Sequence, residues 1–332
     1  MHRGGSIHPL PTARSIVLDG GLATELERRG NDLSDRLWSA RLLADAPEEI
    51  VEAHMAFFRA GAQVATTASY QASFEGFATL GIDRVGAAGL MRRSIELAAA
   101  ARERYRAEAV VGGHDPEPLY VAASVGPYGA VQADGSEFRG DDRLTVAQLA
   151  DWHRARLTVL ASAGPDRLAC ETIPSVREGA ALVGLLDEVD GPPAWLSFTC
   201  ADGATTRSGE PVEAAFALAD RAERVAAVGI NCTDPRFVDE LIERARATTR
   251  KPVVVYPNSG EVWDAGTRHW VGKAGARVDG DAARRWLSAG ASLVGGCCRV
   301  APEDIAAIAR VVGGPSEPPE DEAPRLGPST RA

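Results

Sequence analysis

The sequence predicts an α/β protein, a single-domain (β/α)8 barrel of the TIM type, on three observations. Eight short β-rich runs alternate with longer helical stretches. The runs are mostly continuous in apolar residues rather than alternating, as parallel strands covered on both faces require. One small joint, Ala-Gly-Ala or Ala-Gly-Pro, recurs at 60–62, 163–165 and 289–291, each time after a helical stretch and before a strand.

In chain order the runs are SIVLDG (15–20), QVATTASY (63–70), LYVAASVG (119–126), RLACETI (167–173), AWLSFT ending at 199, AAVGINC (226–232), PVVVYP (252–257) and SLVGGCC (292–298). Glycine in the recurring joint suits the residue just past a helix, which takes positive φ. Helix starts are marked as well. Pro47 is followed by Glu48 and Glu49, Thr145 and Gln148 have capping-box spacing, Asp234 precedes Pro235, and Pro302 precedes Glu303 and Asp304. The alternative is an open doubly wound sheet, but no G-x-G-x-x-G follows the first run, which argues against a dinucleotide fold. The connections 126–144 and 258–278 are long and are expected to act as lids. The barrel is expected over 15–312, after an N-terminal extension (1–14) and before a Pro/Glu/Gly/Ser-rich tail (313–332) whose composition predicts disorder.

With 332 residues, 45% apolar and 25% charged, the composition is that of a globular enzyme. The net charge of −10 argues against nucleic acid and anionic membrane surfaces as partners and weakly favours a cationic ligand. No apolar run approaches the ~18–20 residues of a membrane span, and the N-terminus has no apolar signal core. The expectation is a cytoplasmic protein with reduced cysteines.

A barrel gathers its chemistry at the C-terminal ends of its strands. There the sequence puts Asp19-Gly20, Thr66 to Tyr70, Gly126-Pro127-Tyr128, Glu171-Thr172, Ser197, Thr199 and Cys200, Asn231-Cys232, Tyr256 to Ser259, and Cys297-Cys298. Cys232 on the sixth run and Cys297-Cys298 on the eighth all face the barrel mouth. Gly295 and Gly296 free the backbone to bend there. Both adjacent thiols can turn inward only if the strand has ended, since neighbours on a strand point to opposite faces. Three convergent thiolates would make an open catalytic zinc site. Taken from the residues alone, three small buried hydrophobes or a vicinal Cys297-Cys298 disulfide remain open alternatives. Cys170, beside Glu171, should face the helices and pack. Cys200 is either a spare thiol or a fourth ligand that would close the site. Asp19 and Glu171 could hold a substrate ammonium or pair with a rim arginine. His54 and His153 fall within helices and are expected at a surface or interface. Trp38, Trp263, Trp270 and His269 fall in loop-like sequence, where the tryptophans could wall a pocket or pack under a loop.

The stretches LDGGLATELERRG (18–30), RAGAQVATTASYQASFEGF (59–77), SVGPYGA (124–130), DGSEFRGD (134–141), ACETIP (169–174), LSFT (196–199), GINC (229–232), VVVYPNSGEVWD (253–264) and GGCCR (295–299) run in order from the first strand to the last. In them the chain resembles the homocysteine S-methyltransferases, of the bacterial and plant type that use S-methylmethionine or S-adenosylmethionine. The resemblance implies a (β/α)8 barrel holding one Zn2+ on Cys232, Cys297 and Cys298. It also implies that the homocysteine amino and carboxyl groups are gripped near Asp19, Gly20, Thr67 and Glu171, and that no catalytic group acts beyond the zinc centre. The expected partners are homocysteine and a sulfonium methyl donor. Selenocysteine- or betaine-type methyl transfer, and a non-catalytic zinc- or thiol-binding barrel, are the alternatives.

Overall fold

A computed structural model describes residues 14–33, 37–114, 116–132, 136, 140, 143–264, 269–271 and 277–313. The expected extension and tail lie outside these residues except for Arg14 and Gly313. Eight strands form the sheet: β1 Ile16–Val17, β2 Val64–Thr66, β3 Tyr120–Val125, β4 Arg167–Ile173, β5 Ala194–Phe198, β6 Val225–Asn231, β7 Val253–Tyr256 and β8 Ala291–Val294. They are hydrogen-bonded in the order β1-β8-β7-β6-β5-β4-β3-β2, all parallel. The remaining seam between β1 and β2 is closed by a parallel bridge from Leu18 to Val64 and by the Gln63 N–H donating to the Val17 carbonyl at 2.8 Å. Closure removes the open-sheet alternative: the chain is a (β/α)8 barrel, with helices between successive strands.

The continuous apolar runs reflect two cores rather than one. Side chains alternate between the barrel interior and the layer under the helices. Ile16, Leu18, Val64, Ala122, Ala169, Trp195, Ala227, Val254, Tyr256 and Leu293 fill the interior. Val17, Leu168, Cys170, Leu196 and Val255 face the helices. Trp195 is the one very large interior residue, and alanines at 122, 169 and 227 make room for it. Its Nε1–H donates to the Tyr256 hydroxyl at 2.9 Å, which satisfies a buried donor and fixes Tyr256 below the barrel mouth. Cys170 therefore packs as expected.

The recurring joints do what their glycines predict. Gly61, Gly164 and Gly290 all have positive φ (96°, 79° and 108°). Pro47 opens the helix Pro47–Arg59, and Thr145 and Gln148 form a full capping box on Val146–Ser162. Asp234 accepts from the Arg236 N–H at the short turn leading into Val238–Thr248, and Asp304 accepts from the Ala301 N–H at the start of Pro302–Val312. The expectation for His54 and His153 is corrected: both are fully buried. The helix Pro47–Arg59 packs against both the barrel and the long helix Arg84–Val111, so even a polar position between Ala53 and Met55 is enclosed. Burial lowers His54 to about 4, so its ring is neutral. His153 instead meets Glu178, with Nε2 2.8 Å from Oε1.

The connection after β3 includes a helical turn, Tyr128–Gln132, and the one after β7 an antiparallel hairpin, Val262–Asp264 with His269–Val271. Residues 133–135, 137–139 and 141–142 of the first expected lid, 265–268 and 272–276 of the second, and the side chains of Trp38, Trp263, Trp270 and His269 lie outside the described residues. Among the described residues no helix is long and apolar enough to cross a membrane.

Candidate functional site

One cleft at the C-terminal mouth of the barrel is lined by Asp19, Gly20, Thr67, Glu171, Cys232, Cys297 and Cys298 together. Asp19 and Gly20 follow β1, Thr67 follows β2, Glu171 lies in β4, Cys232 follows β6, and Cys297 and Cys298 lie in the segment after β8. All seven positions singled out from the sequence thus meet in one place.

The thiols converge because the strands stop in different ways. β8 ends at Val294, and the chain then runs across the mouth as a strap. Backbone bonds pin it on both sides: Gly296 N–H to Asp19 O (3.1 Å), Cys297 N–H to Pro257 O (2.7 Å) and Ser259 N–H to Cys298 O (3.2 Å). Gly295 and Gly296 do not take positive φ, contrary to the idea that they supply a special bend. They are needed for close approach: a Cβ on Gly295 would lie 2.6 Å from the Cβ of Leu18, and one on Gly296 2.1 Å from Val300. The unusual backbone sits elsewhere. Thr172 (φ 59°), Cys232 (φ 46°) and Arg299 (φ 66°) are left-handed non-glycine residues. Such positions cost about 1–3 kcal/mol each and collect at functional sites. At Cys232 and Thr172 the effect is to break strand alternation, so that neighbouring side chains can both serve the mouth.

The Cys232–Cys298 and Cys297–Cys298 sulfurs are 3.6 and 3.9 Å apart, and Cys232–Cys297 2.7 Å. A tetrahedral ion with ~2.3 Å bonds to sulfur spaces its ligands by ~3.8 Å, so two separations already match and the third must open by about 1 Å. The proton chemistry asks for a cation. Cys232 is held well below the usual thiol range because Cys297 and Cys298 donate to it. Cys297 and Cys298 are pushed well up, first by their bonds to Cys232. Three thiols this close cannot all ionise without a positive partner, and a divalent ion is the natural one. Among the described residues these three are the one group of His, Cys, Asp or Glu side chains arranged to hold a metal. Cys200 is excluded from it: its thiol lies in the helix-side core, where burial pushes it up to about 12.

Neither acidic residue meets a rim arginine among the described residues. Both oxygens of Asp19 accept from Thr66, from its N–H at 2.6 Å and its hydroxyl at 2.9 Å. Glu171 accepts from the Ser124 hydroxyl and bonds to Tyr256. The Thr67 hydroxyl accepts from the Ser124 N–H at 3.1 Å and meets the Ser69 hydroxyl at 2.8 Å. Gly20 belongs to a wall with no room for a side chain: a Cβ would lie 2.6 Å from the Val300 carbonyl.

Burial raises Glu171 to about 7, helped by the neighbouring Cys297 and opposed by Ser124 and Tyr256. Burial also raises Asp19 to about 8 against the Thr66 hydrogen bonds. An acid raised in the folded state adds stability that is complete below its unfolded value of 3.8 and is lost as pH rises through about 8. Asp19→Asn keeps the shape without the charge. It is expected to raise the thermal midpoint of the metal-free protein by several degrees near pH ~9 and to change it little near pH ~4. Thermal unfolding at both pH values checks this; equal shifts would contradict it.

Several supporting residues carry no pattern that sequence reasoning could read. Arg156, buried in the helix Val146–Ser162, donates to the carbonyls of Gly126 and Ser69 at 2.8 Å each, tying together the ends of β3 and β2. Glu178 accepts from the Tyr128 N–H at 2.6 Å. Ser124, Thr66 and Asn231 are visible only as polar residues near strand ends.

A family model described as homocysteine S-methyltransferase matches residues 16–312. The chain is 46% identical over 302 residues to Homocysteine S-methyltransferase YbgG of Bacillus subtilis (strain 168), covering 91% of this chain and 96% of that one. It is 44% identical over 307 residues to Selenocysteine Se-methyltransferase of Brassica oleracea var. italica, covering 90% and 88%. Among solved structures, the metallated form of the homocysteine methyltransferase MmuM from Escherichia coli superposes with a TM-score of 0.79 at 43% identity, over 90% of this chain and 96% of that one.

Proposed function

The chain belongs to the homocysteine S-methyltransferase family and is an enzyme of it, and from that premise we propose a zinc-dependent transfer of a methyl group from a sulfonium donor, S-methylmethionine or S-adenosylmethionine, to the thiol of homocysteine, giving methionine. The single observation that supports this most is the convergence of three thiols and two buried carboxyls in one cleft. Five free cysteines fit a reducing compartment such as the cytoplasm.

Cys232, Cys297 and Cys298 would hold the ion. A zinc ion bound there would supply the Lewis acidity that lets an incoming thiol give up its proton. Without that help a thiol of pKa ~8.5 is mostly protonated at neutral pH. Asp19 and Glu171 take the homocysteine ammonium. Each carboxylate oxygen has two lone pairs, so the bonds to Thr66 and Ser124 leave acceptor capacity free. The flat wall at Gly20 and the hydroxyl of Thr67 complete the seat for the amino-acid end.

In the reaction the thiolate sulfur forms a bond to the methyl carbon while the carbon–sulfonium bond breaks. The electron pair stays on the departing sulfur, which leaves as a neutral thioether. No general acid is needed, and none is assigned. Asp19 and Glu171, raised to about 8 and about 7 by burial, ionise fully once a cation lies beside them, which matches the cleft to the acceptor's ammonium and the donor's sulfonium. What the chain then contributes is alignment of donor and acceptor for an in-line attack.

Purified protein is expected to form methionine from homocysteine with a sulfonium donor, and to lose that activity to a strong chelator and regain it with zinc. Assays with S-methylmethionine, S-adenosylmethionine and betaine identify the donor. Activity with betaine alone, or activity indifferent to the chelator, would contradict the proposal. Zinc binding without methyl transfer would favour a non-catalytic barrel. The name of the Brassica relative makes selenocysteine the second acceptor to assay.

A further inference from the structure

Asn231 is the last residue of β6, directly before the left-handed Cys232, and it is buried. Its side-chain amide reaches three other parts of the barrel. Oδ1 accepts from the Thr172 N–H at 2.7 Å and from the Ser197 hydroxyl at 2.8 Å. Nδ2 donates to the Thr172 hydroxyl at 2.7 Å and lies 3.9 Å from Cys297 Sγ, within reach of a sulfur acceptor. Two lone pairs and two hydrogens are thus all engaged. The orientation is dictated as well: turned over, the NH2 would face the Thr172 N–H, donor against donor.

Two of the left-handed residues of the mouth, Thr172 and Cys232, are therefore held by one amide, through its side chain and through the chain itself. Thr172 follows Glu171, and Cys297 is one of the three converging sulfurs. We infer that Asn231 is a positioning residue that locks the Glu171-Thr172 turn to the thiol cluster and donates an N–H to the Cys297 sulfur. This rests on the zinc reading above. An N–H aimed at a thiolate withdraws electron density from it and fixes its direction, and partners of this kind around a ligand set commonly change metal affinity by ~10–100-fold. Through Thr172 the same amide fixes the turn that carries Glu171, so the metal end and the amino-acid end of the cleft share one brace.

The test uses the full chain loaded with cobalt(II), whose thiolate charge-transfer absorption reports the electron density on sulfur. The parent is expected to show that band. Asn231→Ala should move it to longer wavelength, because an undonated thiolate gives up its electron more readily. It should also lose the metal to a competing chelator ~10–100-fold more easily. Asn231→Asp keeps both accepted hydrogen bonds and the shape, so it reports the band even if the alanine variant does not fold; the same red shift is expected. Thr172→Val leaves the amide beside Cys297 and should keep the parent band while raising the KM for homocysteine. Unchanged bands in both Asn231 variants, or an unchanged KM in Thr172→Val, would overturn the inference. A parent protein without a thiolate band would instead bring down the zinc reading, and this inference with it.

Discussion

Replacing Cys297 with alanine is expected to strip the protein of its metal and to lower kcat/KM by about 10³-fold or more, a loss of roughly 4 kcal/mol of transition-state stabilisation. The size follows from two effects that act together. A site with three protein ligands that loses one keeps only two sulfurs, and a first ligand matters more than the surrounding partners whose loss alone costs ~10–100-fold. The acceptor thiol is then left with its ordinary pKa and with nothing to fix its position. Cys297 is the sharpest choice because its sulfur lies within 3.9 Å of both others and is the one that Asn231 reaches. Cys200→Ala is the matching control. That thiol lies in the helix-side core, so the variant should keep both metal and activity and lose only packing energy. Metal content by elemental analysis and initial rates of methionine formation read both variants. A metal-free Cys297→Ala protein with parental activity would end the zinc mechanism.

What the sequence made legible is whatever depends on local pattern. Eight continuous apolar runs predict parallel strands because both faces of each strand are covered, and the paired cores around Trp195 and around Val17 and Cys170 bear that out. Gly61, Gly164 and Gly290 announce three helix ends because only glycine takes that backbone cheaply. The residues of the cleft are readable as strand ends, and so Cys232 and Cys297-Cys298 can be expected to meet. What the sequence conceals is partnership. His54 and His153 sit in helices, and nothing local tells which of their faces is covered; both proved to be enclosed. Arg156 looks like any surface arginine of an amphipathic helix, yet it satisfies carbonyls from two separate loops. The glycines before the cysteines suggest a bend, whereas their reason is the proximity of Leu18 and Val300, far away or folded back in the chain. Left-handed Thr172 and Cys232 are invisible for a related cause: their residue types argue against that backbone, and only the surrounding hydrogen bonds hold it.

Glu171→Gln is expected to raise the KM for homocysteine by about 10²-fold or more while leaving the metal in place. The substitution keeps the shape and can still take the Ser124 hydroxyl, so the architecture of the floor persists. What it removes is the negative charge opposite the substrate ammonium. Breaking one side of a buried charge pair costs roughly 3–5 kcal/mol, which sets the scale of the loss. Asp19 remains as a second carboxylate in the same cleft and keeps the effect from being larger. An acceptor without the amino group, 4-mercaptobutanoate, sharpens the test. The parent should prefer homocysteine strongly over it, and Glu171→Gln should shrink that preference, because the interaction between the carboxylate and the ammonium is then absent from both arms of the comparison. If the variant instead loses metal, Glu171 belongs to the ion's own surroundings. If its preference for homocysteine is undiminished, the ammonium is held elsewhere in the cleft, with Asp19 the next carboxylate to examine.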